Sequence, residues 1–256
     1  MTDIEQAVAV LQNAKKVVFF TGAGISADSG IPTYSESLSG VWAGHDPRDL
    51  ETANAFRENA ALVWGWYLWR RLQVARAKPN AAHLAVLGIA NTQRQISVIT
   101  QNIDDLHERA GSLDVVHLHG TLAMPECFAC HRSSAVSLDQ SAIPDEGALI
   151  EPPRCGRCNG KMRPAVVWYG EDLPPQAWKK AVRLVKDCDL LISVGTSGIV
   201  MPAAGLPDLA LASGASVIHV NKADVSMGEQ RELMLVGAAV QILPMLAQRI
   251  ETIRAS

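Results

Sequence analysis

Four cysteines fall into two C-x-x-C pairs, Cys127 with Cys130 and Cys155 with Cys158. Two short chelating loops of this kind suit tetrahedral zinc through four thiolates, a closed centre with no open position for catalysis. A pair of redox dithiols is the other chemistry open to C-x-x-C, and it wants a thioredoxin-like context that is absent here. The fifth, Cys188, lies in KDCDLLI and reads as a buried structural thiol. In TGAGISADSGIP, Gly22, Gly24 and Ala27 satisfy G-x-G-x-x-G/A directly after the apolar run VVFF. Glycine there permits either a plain strand-to-helix turn or close approach of the backbone to a pyrophosphate. VITQNIDDLHERAG supplies Asn102 and Asp104, and VVHLHG supplies His117 and His119. The first two suit a helix cap or a polar site; a histidine suits an interior hydrogen bond or general-base work near neutral pH. WGWYLWRRL, Trp64 to Leu72, sets Arg70 and Arg71 among four aromatics in a chain with 6 Trp, 3 Tyr and 4 Phe. Its arginines either snorkel from a core helix or meet a negatively charged ligand.

The elements that must position these groups are legible as apolar runs. Val17–Thr21, Ile96–Thr100, Leu190–Val194 and Val217–Val220 read as strands buried on both faces, and they alternate with helical patterns at Gln176–Lys186 and Met201–Ala212. The fold class is α/β, a Rossmann-like doubly wound parallel sheet, whose site lies at the carboxyl ends of the strands. The ribose-binding carboxylate expected about 20 residues after the glycines is missing, because the chain there carries no strand pattern. The 256 residues suit a single domain with inserts: a sheet part over about 1–33, 80–122 and 164–256, a helical module over about 34–79, and a polar, cysteine-bearing zinc module over about 123–163. An apolar fraction of 48%, a charged fraction of 19% and a net charge of −3 give no basic field for nucleic acid or an anionic membrane. The N-terminus reads as an amphipathic helix, not a leader, and no apolar run reaches about 18 residues. A cytoplasmic location is expected, with the cysteines on metal instead of in disulfides.

GAGISADSGIP, TQNIDDLHERAG, HLHG, the paired C-x-x-C, PAVVWYGE, VGTSG and HVNK, in that order, resemble the sirtuins, NAD-dependent protein-lysine deacylases, and among them the bacterial desuccinylase- and demalonylase-like members. The resemblance implies a sheet domain and a smaller domain, built from a zinc-ribbon module and a helical insert, with NAD as co-substrate between them and one structural zinc on Cys127, Cys130, Cys155 and Cys158. It implies that Gly22, Ala23, Gly24, Ile25 and Ser26 meet the pyrophosphate and ribose, and that Gln101, Asn102, Ile103 and Asp104 surround nicotinamide and its ribose. Gly195, Thr196, Ser197, Asn221 and Ala239 would lie on the adenosine side. His119 matches the catalytic base and His117 has no role in the pattern; Asn102 and Asp104 complete the catalytic set.

In the family reaction the acyl-lysine oxygen attacks the ribose C1′ as nicotinamide leaves, and the histidine helps deprotonate a ribose hydroxyl. The products implied are free lysine, nicotinamide and O-acyl-ADP-ribose. Val167, Trp168, Tyr169, Gly170 and Glu171 match the edge that pairs with an acyl-lysine protein or peptide, and Gly198 to Met201 match the facing side of the cleft. Ala55, Tyr67 and Arg70, followed by Pro79 and Asn80, match the pocket of members that remove succinyl and malonyl groups. Residues three apart share a helical face, so a phenol and a guanidinium there can reach one carboxylate. The simpler alternative is that Tyr67 packs and Arg70 pairs with solvent or Glu58, with Arg71 on the surface. One departure stands out: Tyr34 and Ser35 occupy the family's Phe and Arg. Loss of that arginine admits an NAD hydrolase, a mono-ADP-ribosyltransferase or a weakened NAD- and acyl-lysine-binding module as alternatives. Oligomeric state is left open, a monomer included.

Overall fold

The computed structural model describes residues 2–31, 40–42, 45–90, 94–135 and 143–255. In chain order its helices are α1 Asp3–Asn13, α2 Ala23–Ser26, α3 Pro47–Leu50, α4 Ala53–Glu58, α5 Ala60–Arg76, α6 Ala81–Ala90, α7 Leu106–Arg109, α8 Pro175–Asp187, α9 Leu206–Ala212 and α10 Ala239–Ala255. The strands are β1 Lys16–Thr21, β2 Gln95–Thr100, β3 Val115–His117, β4 Glu126–Cys127, β5 Met162–Arg163, β6 Leu190–Val194, β7 Ser216–Asn221 and β8 Glu232–Val236. Thr2 starts α1 with a reciprocal cap, its hydroxyl accepting from Glu5 N while Glu5 accepts from Thr2 N.

Six of these strands form a sheet in the order β3-β2-β1-β6-β7-β8. Every pairing in it is parallel. Parallel strands need crossovers, and the helices supply them on both faces, so alternate side chains of one strand reach different cores. Val17, Phe19, Val98 and Ile192 pack with Leu11 of α1, Val86 of α6 and Leu246 of α10. Val18, Phe20, Ile99 and Leu191 pack on the other face with Val185 of α8 and Leu206 of α9. Each such fully buried side chain stabilises the fold by roughly 1.5–3 kcal/mol relative to exposure.

The four expected strands are present, each within a residue or two of its expected start. The short β3 and the edge strand β8 carried no buried run to announce them: β8 is ELMLV with only Leu235 buried. The helix expected over Met201–Ala212 begins later. Ala203–Gly205 is a 3₁₀ turn and the α-helix starts at Leu206, with Pro207 in its first turn, where a missing N–H costs nothing.

α5 carries WGWYLWRRL and is buried on nearly all sides because it lies between two cores. Trp64, Leu68 and Leu72, four residues apart, pack on Cys127, Cys155 and Met162. Val63, Trp66 and Tyr67 pack with Phe56, Leu106 and Trp168. Gly65 lies where the segment around Ala148 crosses; an added Cβ would sit 2.0 Å from the Ala148 carbonyl oxygen.

Candidate functional site

The strand order reverses between β1 and β6, and in an open parallel sheet the crevice at such a point, beyond the carboxyl ends, is where ligands bind. Four loops converge there: Gly22–Ser26 after β1, Gln101–Asp104 after β2, Gly195–Ser197 after β6, and Asn221 closing β7. Gly22 N donates to Val194 O and Gly24 N to Gly195 O, both at 3.0 Å. A Cβ on Gly24 would fall 2.6 Å from Gly195 Cα, and one on Gly195, whose φ is +60°, would fall 2.6 Å from Gly24. The glycine motif is therefore required by the contact of one loop on another, and not only by approach to a ligand. Asn221 Nδ2 donates to Thr196 O at 2.9 Å, and Gly195 N to Val220 O, which ties the third and fourth loops. Ser197 is exposed, Thr196 and Ala239 are buried, and neither 22–26 nor 195–198 contains an acidic residue. A neutral, small-residue crevice of this make fits a pyrophosphate-bearing ligand.

The β2 loop is built from buried polar groups. Asn102 N donates to Thr100 Oγ1, and Asn102 Nδ2 donates to Gly22 O and Ser26 Oγ, both at 3.1 Å. Ser26 Oγ donates to Asp104 Oδ2 at 3.0 Å, and Asp104 Oδ1 accepts from Leu106 N. Burial raises the Asp104 pKa, with these two bonds opposing it. Gln101 N is held by Thr21 O, and Ile103 O accepts from Leu122 N. Asn102 and Asp104 thus join the glycine loop to the β2 loop.

One histidine, His117, ends β3 and another, His119, follows it, and their environments separate their roles. His119 Nδ1 lies 3.0 Å from Gln101 O. A carbonyl only accepts, so Nδ1 carries the proton and Nε2 presents its lone pair. Burial lowers the His119 pKa, the Gln101 bond only partly opposing, so the ring is neutral at pH 7 and ready to accept a proton. His117 lies between two acceptors, Asn102 O at 3.0 Å and Glu108 Oε1 at 2.7 Å. Burial depresses its pKa, but the bonds to Glu108 and Asn102 and the charges of Glu108 and Asp104 outweigh it, so the net shift is upward. His117 is thus a clamp on the Asn102 backbone, a role its position in the sequence did not announce.

The segment Val166–Glu171 runs beside His119. Val167 N donates to His119 O and Tyr169 N to Glu51 O, both at 2.9 Å. Gly120 pairs with Val166, and a Cβ on Gly120, whose φ is +74°, would meet Ala165 O at 2.1 Å. Glu171 turns inward: its Oε1 and Oε2 accept from Arg163 at 2.5 and 2.8 Å, and Oε2 accepts from Trp168 N at 2.9 Å. Its carboxylate pKa is lowered, since the Arg163 and Trp168 bonds outweigh desolvation. Gly170 takes φ +85°, and Tyr169 is 47% exposed. Trp168 and Tyr67 meet, indole Nε1 donating to the phenol oxygen at 3.0 Å. Ala55 packs at the edge of the same cluster. Arg70 is 8% exposed and its guanidinium carbon lies 5.8 Å from the Trp66 ring centroid. It is thereby removed from solvent, and Glu58 is on the surface. Arg71 is half-buried.

The four sulfurs of Cys127, Cys130, Cys155 and Cys158 lie within 4.8 Å of one another, with Cys127–Cys158 at 3.5 Å and Cys130–Cys155 at 3.8 Å. A tetrahedron of zinc–sulfur bonds has edges of about 3.8 Å, so the donor set fits zinc. Backbone N–H groups of Cys158 and Arg157 push the Cys155 thiol down to about 6, while, against the Gly160 N–H, hydrogen bonds with Cys127 and Cys130 push Cys158 up to about 12. The protons therefore come off the cluster in steps, with Cys155 early and Cys158 late. Cys188 donates to Val185 O from a buried position, and burial pushes its thiol up to about 11.

Tyr34 and Ser35 lie outside the described residues. Several residues help organise the site in roles their sequence did not announce, Asn80 among them, whose place in the sequence points only to the acyl-pocket pattern. Asn80 Nδ2 donates to Ile25 O at 2.8 Å and Ser29 Oγ at 2.9 Å, and thereby holds the glycine loop from the start of α6. Arg163 and Glu108 belong to the same class, since a charge that pairs across the fold has no local periodicity to reveal it.

A sequence model of the Sir2 family matches residues 22–202. NAD-dependent protein deacylase 4 of Pseudomonas syringae pv. tomato is 64% identical over 242 residues, covering 94% of this chain and 94% of that protein. The crystal structure of a Sir2 homolog–NAD complex superposes with a TM-score of 0.86 at 36% identity, covering 97% of this chain and 94% of the other. A Sir2–p53 peptide–NAD+ complex superposes with a TM-score of 0.80 at 28% identity over 100% of both chains.

Proposed function

The chain belongs to the Sir2 family, and from that premise we propose that it is an NAD-dependent protein-lysine deacylase. The observation that carries the proposal is His119: a neutral imidazole, fixed through Nδ1 on Gln101 O, stands where the Asn102–Asp104 loop meets the Val167 edge. NAD supplies the activated bond to nicotinamide and the ADP-ribose that receives the acyl group. The chain's residues divide the remaining work. Gly22, Ala23, Gly24, Ile25 and Ser26, with Gly195, Thr196 and Ser197, form the pyrophosphate crevice; Asn221 and Ala239 bound the adenosine side. Gln101, Asn102, Ile103 and Asp104 shape the nicotinamide and ribose end, and His119 Nε2 takes the proton of a ribose hydroxyl.

Acyl-lysine peptide enters along Val167–Gly170. The N–H groups of Val167, Trp168 and Tyr169 already have partners in the chain, so the incoming backbone pairs by donating to carbonyl oxygens. Glu171 serves from behind, through Arg163. The sheet part, about 1–33, 80–122 and 164–256, carries NAD, and the modules of about 34–79 and 123–163 form the other wall. Cys127, Cys130, Cys155 and Cys158 hold one structural zinc, which draws Trp64, Leu68 and Leu72 of α5 onto the module. Among the described residues no helix is long and apolar enough to cross a membrane, and a cytoplasmic setting suits cysteines placed on metal instead of in disulfides.

Ala55, Tyr67 and Arg70 line the acyl end, with Tyr67 and Arg70 receiving a distal carboxylate, so succinyl- and malonyl-lysine are substrates besides acetyl-lysine. Matched acetyl- and succinyl-lysine peptides test this with wild type, Tyr67→Phe and Arg70→Met. Succinyl turnover should fall more than acetyl turnover in both variants; equal sensitivity rejects the carboxylate clamp.

A further inference from the structure

Trp168 connects the peptide edge to the acyl end. Its indole Nε1–H lies 3.0 Å from the Tyr67 hydroxyl oxygen. An indole can only donate, so the direction is fixed: the Tyr67 oxygen accepts, and the phenol proton must be given to an acceptor elsewhere. Both side chains are sealed from solvent, Trp168 at 1% and Tyr67 at 3% exposure. Water therefore does not compete for the bond.

The indole is itself held on several sides. Arg163 stacks its guanidinium carbon 3.5 Å from the ring centroid, a desolvated cation–π contact. Arg163 in turn is anchored by both oxygens of Glu171 and by Val166 O at 2.8 Å. Glu171 Oε2 also accepts from Trp168 N, so backbone and ring of one residue are fixed by a single ion pair. Phe56, at 5.4 Å between centroids, and Phe128, at 6.1 Å, close the remaining sides.

We propose that Trp168 is a positioning residue that sets acyl selectivity: by occupying the acceptor side of the Tyr67 oxygen, it aims the phenol proton at a carboxylate on the acyl chain. The inference rests on the acyl-carboxylate reading of Tyr67 and Arg70. It adds that the residue whose backbone lies along the peptide edge also orients the group that recognises the acyl end, with Arg163 holding the two in register.

Trp168→Phe keeps an aromatic ring for Arg163 to stack on and removes the N–H. The ratio of succinyl to acetyl kcat/KM should fall about 3- to 10-fold, the worth of one neutral hydrogen bond. The Tyr67→Phe and Trp168→Phe double variant should show little loss of that ratio beyond Tyr67→Phe alone, because the indole acts through the phenol. Independently of activity, the indole N–H resonance of Trp168 should move in Tyr67→Phe, which removes its acceptor. A wild-type ratio in Trp168→Phe, additive losses in the double variant, or an unmoved indole resonance each overturns the assignment. The resonance decides the matter should Trp168→Phe fail to fold. A Tyr67→Phe variant with the wild-type ratio instead removes the acyl-carboxylate reading itself, whereas a ratio changed by Tyr67→Phe but not by Trp168→Phe removes only the role of Trp168.

Discussion

His119 and His117 stand two residues apart, and the difference between them is one of partners. A single carbonyl on Nδ1 leaves His119 a base; acceptors on both nitrogens make His117 a double donor. His119→Ala should lower deacylation by roughly 10²–10⁴-fold without loss of folded protein, as steady-state rates and a thermal melt together would show. The base works when neutral. Because burial lowers its pKa below the ordinary 6.5, the midpoint of the acid limb of kcat/KM should fall below pH 6.5, as a pH–rate profile resolves; a midpoint above 6.5 would contradict it. Glu171 gives a contrasting case. Glu171→Gln weakens the hold on a guanidinium that is 4% exposed, at a cost up to the about 3–5 kcal/mol of breaking a buried ion pair, reduced because Glu171 keeps some exposure. Peptide KM should rise with it while NAD KM changes little. His119, Asn102 and Asp104 could be named as candidates from the sequence because their motifs are local, and the structure brings them to one crevice. The pairings of Arg163 with Glu171 and of His117 with Glu108 could not, because the fold brings those partners together.

At the scale of elements, the helix α5 shows what the apolar pattern could not say. Its aromatics announced burial, but burial on two faces at once comes from its place between two cores, and Gly65 is set by a crossing segment remote in sequence. Gly65→Ala should destabilise by about 1–3 kcal/mol as the Ala148 segment is displaced, measurable by denaturant unfolding. A second element-scale effect lies between α6 and α7. His83 and His107 contact edge to face at 5.0 Å between centroids, with His83 Nε2 and His107 Nδ1 buried and without partners. Burial lowers His83 to about 4, and burial together with His83 lowers His107 to about 3. The unfolded chain binds these protons near pH 6.5 and the folded chain does not, so the stability is complete above pH 6.5 and falls as the pH drops toward 4. The slope is at most about 1.4 kcal/mol per pH unit for each histidine. Asp104, whose pKa is raised, works in the opposite sense and softens the decline. Urea melts at pH 7 and pH 5 should show it, and the slope should flatten in a His83→Gln, His107→Gln variant.

For the molecule as a whole, the doubly wound sheet was visible in four buried apolar runs, and the zinc module in its cysteine pairs, since both are repeated, local patterns. The edge strands β3 and β8 were not, being short or half-exposed, and neither was the close packing of Gly22 and Gly24 on Gly195, which joins residues far apart in sequence. The four-cysteine centre and α5 share one core, so zinc should be near one per chain by metal analysis, and stripping it should melt the packing around Trp64 with a change in tryptophan emission. In the proposed reaction, deacylation draws on all of these parts together: the crevice at the sheet's reversal, His119 as the base and the edge at Val167. The most direct test incubates the protein with NAD and acyl-lysine peptide, acetylated or succinylated, and follows nicotinamide and free-lysine peptide in the same samples. Equal amounts of both, absent when NAD is omitted, are expected; nicotinamide without free-lysine peptide, or neither product, would contradict a protein-lysine deacylase.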